Sequence, residues 1–236
     1  MEWCKHMDGK IRNLDRGPTV TNNRELADRE IAIPAADHQL YGFLDVPPGA
    51  TGVVAFAHGS GSGRFSTRNQ YVAQQLNKRK IATLLLDLLD ESEVEDRQNV
   101  FDIDLLADRV ILAARWLRSE PRTRNLPLGY FGASTGAGAA LVAAAREPSW
   151  VSAVVSRGGR PDLAGESLTA VRASTLLIVG ENDDVVVELN QQALNALTCI
   201  KDIAVVPAAT HLFPEPGALE EVARLAGIWF LRYLRA

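Results

Sequence analysis

Cysteine is scarce in this chain of 236 residues, with Cys4 and Cys199 the only two. Two cysteines make no disulfide framework. With no C-x-x-C and no cysteine–histidine cluster they make no zinc site either, so no metal is expected. Such scarcity fits a reduced compartment, and a cytoplasmic protein is expected. Long apolar runs are missing as well. No stretch approaches the roughly 20 residues of a membrane span, and the opening MEWCKHMDGKIRNLDRGPTV has no signal-peptide core. Basic charge is not in excess, since 25 Lys and Arg stand against 29 Asp and Glu for a net −4. A nucleic-acid or anionic-membrane partner would need a basic stripe. Internal repeats and low-complexity linkers are absent.

What is present is a globular composition, 47% hydrophobic and 23% charged, in enough chain to bury a core unaided. Residues 1–25 read as a poorly packed arm and 26–236 as a single domain. The segment REIAIPAADHQLYGFLDVP predicts two strands around a turn at Ala35 to His38. Short apolar runs follow at 52–59, 81–90, 126–132, 151–156, 174–180 and 202–207. They alternate with helical stretches at 68–80, 102–120, 135–146, 188–197 and 218–234. In 102–120, Leu106, Val110, Ala113 and Leu117 form one apolar stripe, with Asp102 as N-cap and Pro121 just beyond the end. The last helix carries Leu219, Val222, Ala226, Trp229 and Tyr233 on one face. The acidic DESEVED at 90–96 is expected to be a surface loop. Alternation of this kind predicts an α/β fold, a mostly parallel sheet with helices on both faces and an antiparallel pair at one edge. Sites in such sheets form at the carboxyl ends of strands.

Ser134 meets that condition. GYFGASTGAGAA (129–140) begins as a strand and ends as a helix of small residues, and Gly132 to Gly136 fits G-x-S-x-G. A serine on so sharp a turn has strained dihedrals, and bulky neighbours two residues away on either side would clash. The helix N-terminus beyond it favours developing negative charge.

A serine hydroxyl needs a base. Of the four histidines, His6 lies in the arm and His38 in a hairpin turn, where solvation is expected. His211 lies in PAATHLFPEPG, after a strand and before the last helix. His58 also ends a strand, but GSGSG follows it and suggests another task. The base in turn needs an acceptor. LLIVGENDDVV offers Asp183, the third residue after the strand-ending glycine, with Asp184 as the alternative. The order Ser134, Asp183, His211 is that of a serine–acid–histidine triad on an α/β sheet. Oxyanion donors are expected at the N–H groups of Thr135 and Ser60, the latter within HGSGSGR, where His58 shapes the loop. The G-K-[ST] of a phosphate loop and a G-x-G-x-x-G are both missing there.

With these residues in hand, the chain resembles the α/β-hydrolase superfamily, and within it the dienelactone-hydrolase-related branch. The resemblance rests on AFAHGSGSGR, GYFGASTGAGAA, LLIVGENDDVV and ATHLFPEPGALEEVARLAGIWF, and covers about 30–234. It implies an eight-stranded sheet, no large cap, and a hydrolytic triad of Ser134, Asp183 and His211 with no cofactor. Dienelactone hydrolases proper use a cysteine nucleophile where this chain has Ser134, so their lactone is not transferred. Some proteins of the family are linked to phosphoribosyltransferase-type domains, and no such segment is read in this chain.

The expected reaction is cleavage of a small carboxylic ester or lactone through an acyl-enzyme. The alternatives are an amidase or peptidase with the same triad, and a binding module without turnover. His58, Arg64, Arg157 and Arg160 are candidate substrate contacts. Arg68 raises the same possibility, and salt bridges to Asp162 or Glu166 are the competing role for Arg157 and Arg160. The expected partner is a small molecule, with no nucleic acid and no membrane, and the protein itself a monomer or homodimer.

Overall fold

The computed structural model describes residues 29–35 and 38–235. The arm expected over 1–25 lies outside them, together with Cys4 and His6, as does the tip of the first hairpin.

Eight strands form one sheet in the order β1-β2-β4-β3-β5-β6-β7-β8. Glu30–Ala35 (β1) and His38–Asp45 (β2) make the antiparallel edge, β2 running antiparallel to β4 as well. Gly52–Ala57 (β3), Ile81–Leu86 (β4), Leu128–Ala133 (β5), Val151–Arg157 (β6), Ser174–Gly180 (β7) and Lys201–Val206 (β8) run parallel to one another. Strands β3, β4, β5 and β7 are buried at every residue. That is why they read as unbroken apolar runs rather than as alternation. The edge strand β8 is exposed at three of its six residues and buried only at Val206.

Helices α1 (Thr67–Lys78) and α7 (Ala218–Tyr233) cover one face. Helices α4 (Ile103–Ser119), α5 (Thr135–Arg146) and α6 (Asp184–Ala196) cover the other. The four stripe residues of α4 are all buried, and Asp102 Oδ1 accepts the Leu105 N–H. In α7, Val222, Ala226 and Trp229 are buried, while Leu219 and Tyr233 pack at their margin. No helix among the described residues is long and apolar enough to cross a membrane, and none of those residues forms a cap domain.

Three local expectations are corrected. The acidic stretch at 90–96 is not a loop but holds a short helix, α2 (Glu91–Glu95), and a second, α3 (Arg97–Phe101), follows directly. Asp90 accepts from Ser92 N and Glu93 N while Glu93 reaches back to Asp90 N, a capping box that the charge of the segment hides. Helix α6 starts at Asp184, earlier than the apolar pattern suggests, because its first turn is acidic and so suits the helix dipole. His38 is not solvated in a turn. It opens β2, half-buried, with Nε2 3.6 Å from Glu93 Oε2.

Candidate active site

Ser134 follows β5 directly and holds φ 51° and ψ −126°, the positive-φ region that non-glycine residues avoid. The glycines on either side make the turn possible. A Cβ on Gly132 would stand 2.4 Å from Ala137 Cα, and one on Gly136 would stand 2.2 Å from the Ala57 carbonyl oxygen. Because α5 is buried from Thr135 through Ala144 and small from Thr135 to Ala140, its N-terminus comes right up to the sheet.

Two further strand ends supply the partners. His211 follows β8, and its Nδ1 lies 2.6 Å from Asp183 Oδ2, in the turn after β7. Both side chains are mostly buried. Asp184 is exposed in the first turn of α6. The His211 loop is anchored by Phe213, which is buried at φ 56° and donates its N–H to the Thr210 carbonyl at 3.1 Å.

The loop after β3 packs on the serine turn, where a Cβ at Gly59 would stand 2.8 Å from Ser134 Cβ. The Ser60 N–H donates to Thr135 Oγ1 at 3.1 Å, which ties the two turns together. His58 is spent within this framework. Its Nδ1 lies 2.9 Å from the Gly59 carbonyl oxygen, and its Nε2 accepts the Leu88 N–H at 2.9 Å. The ring is therefore the neutral Nδ1–H tautomer, and burial lowers its pKa further. With both nitrogens on backbone groups it braces the loop and has none left for a substrate.

Arg64 pairs with Asp87 and Glu30 and lies over the Phe65 ring. Arg160 forks onto Asp162 at 2.8 and 2.7 Å. Arg157 differs from both. It is 6% exposed and meets no carboxylate among the described residues. The sequence reading did not single out Asn190, buried on α6, which donates to the Gly159 and Val186 carbonyls at 2.9 and 2.8 Å. It fixes the turn behind His211. The available signal was one amide on an otherwise apolar helix stripe.

His38, Asp90 and Glu93 bring one potential metal-ligand atom each within 4.8 Å of one another. Their oxygens are already in use: Asp90 caps α2, and Glu93 accepts from Asp90 N and from Arg109. Beside the loop after β3 lies a cavity of about 250 Å³ walled by Leu89, Val94, Val100 and Leu106.

No family model matches the chain. It is 57% identical over 209 residues to proteins of two Mycobacterium tuberculosis strains, each provisionally named a phosphoribosyl transferase. That match covers 89% of this chain and 47% of theirs, so the chain spans about half the length of these curated relatives. Among solved structures, a dienelactone hydrolase from Anabaena variabilis is 53% identical with a TM-score of 0.85, over 87% of this chain and 97% of that one. Est1E from Butyrivibrio proteoclasticus shares the fold at 14% identity and a TM-score of 0.75, over 86% and 98%.

Proposed function

Since the chain belongs to the α/β-hydrolase family, in its dienelactone-hydrolase-like branch, we propose that it is a serine hydrolase of small carboxylic esters or lactones. The observation that carries the proposal is the 2.6 Å contact between His211 Nδ1 and Asp183 Oδ2, at the same sheet edge as a serine held at positive φ.

In this reading His211 Nε2 takes the Ser134 proton as Oγ attacks the carbonyl carbon. The N–H groups of Thr135 and Ser60 receive the oxyanion, Ser60 turning its N–H from Thr135 Oγ1 to the substrate. His211 then protonates the leaving alcohol, activates water, and so releases the acid. Asp183 keeps the imidazole in one tautomer throughout. The aliphatic cavity beside Ser60 has the size for a short acyl chain, which supports small substrates. The transferase name of the mycobacterial relatives describes proteins twice this length, and no residue of this site calls for that chemistry.

The test is covalent trapping. A fluorophosphonate is expected to add to one residue, located at Ser134 by peptide mass spectrometry. Adduct formation elsewhere, or none on the folded protein, refutes the assignment. An ester and amide panel sharing one acyl group separates the esterase from an amidase.

A further inference from the structure

Arg157 closes β6, beside the nucleophile. Ala133 is its register partner across β5–β6, and its carbonyl accepts the Ser134 N–H at 3.4 Å. The following residue reaches the triad base, since a Cβ at Gly158 would stand 3.7 Å from His211 Cε1.

The Arg157 side chain turns to the start of α1. There it donates to Asn69 Oδ1 at 3.3 Å, and its Nε is buried without a partner. Burial and the neighbouring Arg68 bring its pKa down to about 10, so it remains charged. Arg68 sits in the first turn of α1, and its Nε too is buried without a partner. That first turn holds no acidic residue, although a helix N-terminus favours one. Arg29, Arg64, Arg109 and Arg160, also partly buried, all face carboxylates. At Arg157 and Arg68 two guanidinium groups and a helix N-terminus converge on one place, and no described residue supplies the counter-charge. An arrangement of like charges with no acid destabilises the empty protein and is expected where an anion binds.

We propose that Arg157, Arg68 and the N-terminus of α1 form a subsite for a phosphate group carried by the ester substrate. Two full charges and about half a charge from the helix match a phosphate of about −1.5 to −2 better than a single carboxylate. Forked guanidinium groups are also the donors that phosphate oxygens take, whereas the Asn69 N–H of this helix start is already capped by Ser66 Oγ at 3.4 Å. The proposal deepens the hydrolase reading and rests on it for the scissile ester, whereas binding of the phosphate itself does not depend on turnover.

Calorimetric titration of the full chain with inorganic phosphate, and with succinate as the carboxylate control, tests the subsite. Saturable phosphate binding is expected, at least about tenfold tighter than succinate. Arg68→Gln and Arg157→Met should each weaken it by about tenfold or more, with circular dichroism checking their fold, and Arg157→Lys should fall between. Absent phosphate binding, or binding indifferent to both arginines, overturns the subsite. Succinate binding as tightly as phosphate overturns the phosphate assignment. Kinetics with the p-nitrophenyl ester of 3-phosphonopropionate then separate a substrate group from a free ion. Competitive inhibition of its hydrolysis by inorganic phosphate is expected, while inhibition that leaves its KM unchanged overturns the link to substrate. If neither this ester nor p-nitrophenyl butyrate is hydrolysed, the hydrolase reading falls and the titration still decides the subsite.

Discussion

His211 Nδ1 and Asp183 Oδ2 lie 2.6 Å apart, although 28 positions separate the residues in the chain. Strands β7 and β8 are hydrogen-bonded neighbours, so the turns that follow them open at the same sheet edge. The contact makes Asp183→Asn informative. The amide can present its NH₂ to Nδ1 and select the wrong tautomer. We expect kcat for p-nitrophenyl acetate to fall by about 10³–10⁴ with KM little changed. Asp184→Asn alters an exposed first-turn residue and should stay within about twofold. Steady-state kinetics of the two variants check this, and equal losses in both would count against Asp183 as the partner.

Thr135 Oγ1 accepts the Ser60 N–H at 3.1 Å and so ties the loop after β3 to the serine turn. Thr135→Val keeps the shape and removes the acceptor. The loop after β3 then loses its tie to the serine turn. The expected cost is about ten- to a hundred-fold in kcat/KM, with Thr135→Ser restoring most of it. A serine variant no better than valine would show that the methyl group, not the hydrogen bond, matters.

His58 gives stability a pH dependence whose sign follows from its burial. Its pKa in the folded protein lies below the ordinary histidine value of about 6.5, with burial the largest cause. The unfolded chain therefore binds the proton more readily. The contribution is complete above about pH 6.5 and is lost as the pH falls from there through the folded pKa. One such group sets a limiting slope of about 1.4 kcal/mol per pH unit. Denaturant unfolding between pH 7.5 and 5 should show this fall in the wild type. His58→Gln, less stable at neutral pH, should show a shallower one. Equal slopes would mean that other groups set the acid limit.

Ser134 stores strain at φ 51°. Ser134→Gly relieves it, because glycine populates positive φ without a Cβ penalty. We expect the variant to be inactive yet more stable, by about 1 kcal/mol, as read by urea unfolding. A less stable glycine variant would place the strain elsewhere.

Much of this architecture was legible because the signals are local. GVVAFA and LGYFGA are fully buried strands and read as such, and small residues from Thr135 to Ala140 announce a helix against the sheet. Strand ends then marked Ser134, Asp183 and His211 one at a time. What stayed hidden depends on long-range pairing. The helix in DESEVED is capped locally by Asp90 and Glu93, but its charge resembles that of a solvated loop. The roles of His58 and Arg64 are set by Leu88 and Asp87, 30 and 23 positions away. Arg160 found its acid two residues on, a pairing visible in the sequence, whereas the partner of Arg157 is Asn69, 88 positions away, and not an acid.

The central claim is that Ser134 is a working nucleophile, and hydrolysis of p-nitrophenyl acetate by wild type and Ser134→Ala tests it most directly. Steady turnover is expected of the wild type, lost by about three orders of magnitude or more in the alanine variant. Equal rates in the two proteins, with both folded, would contradict it.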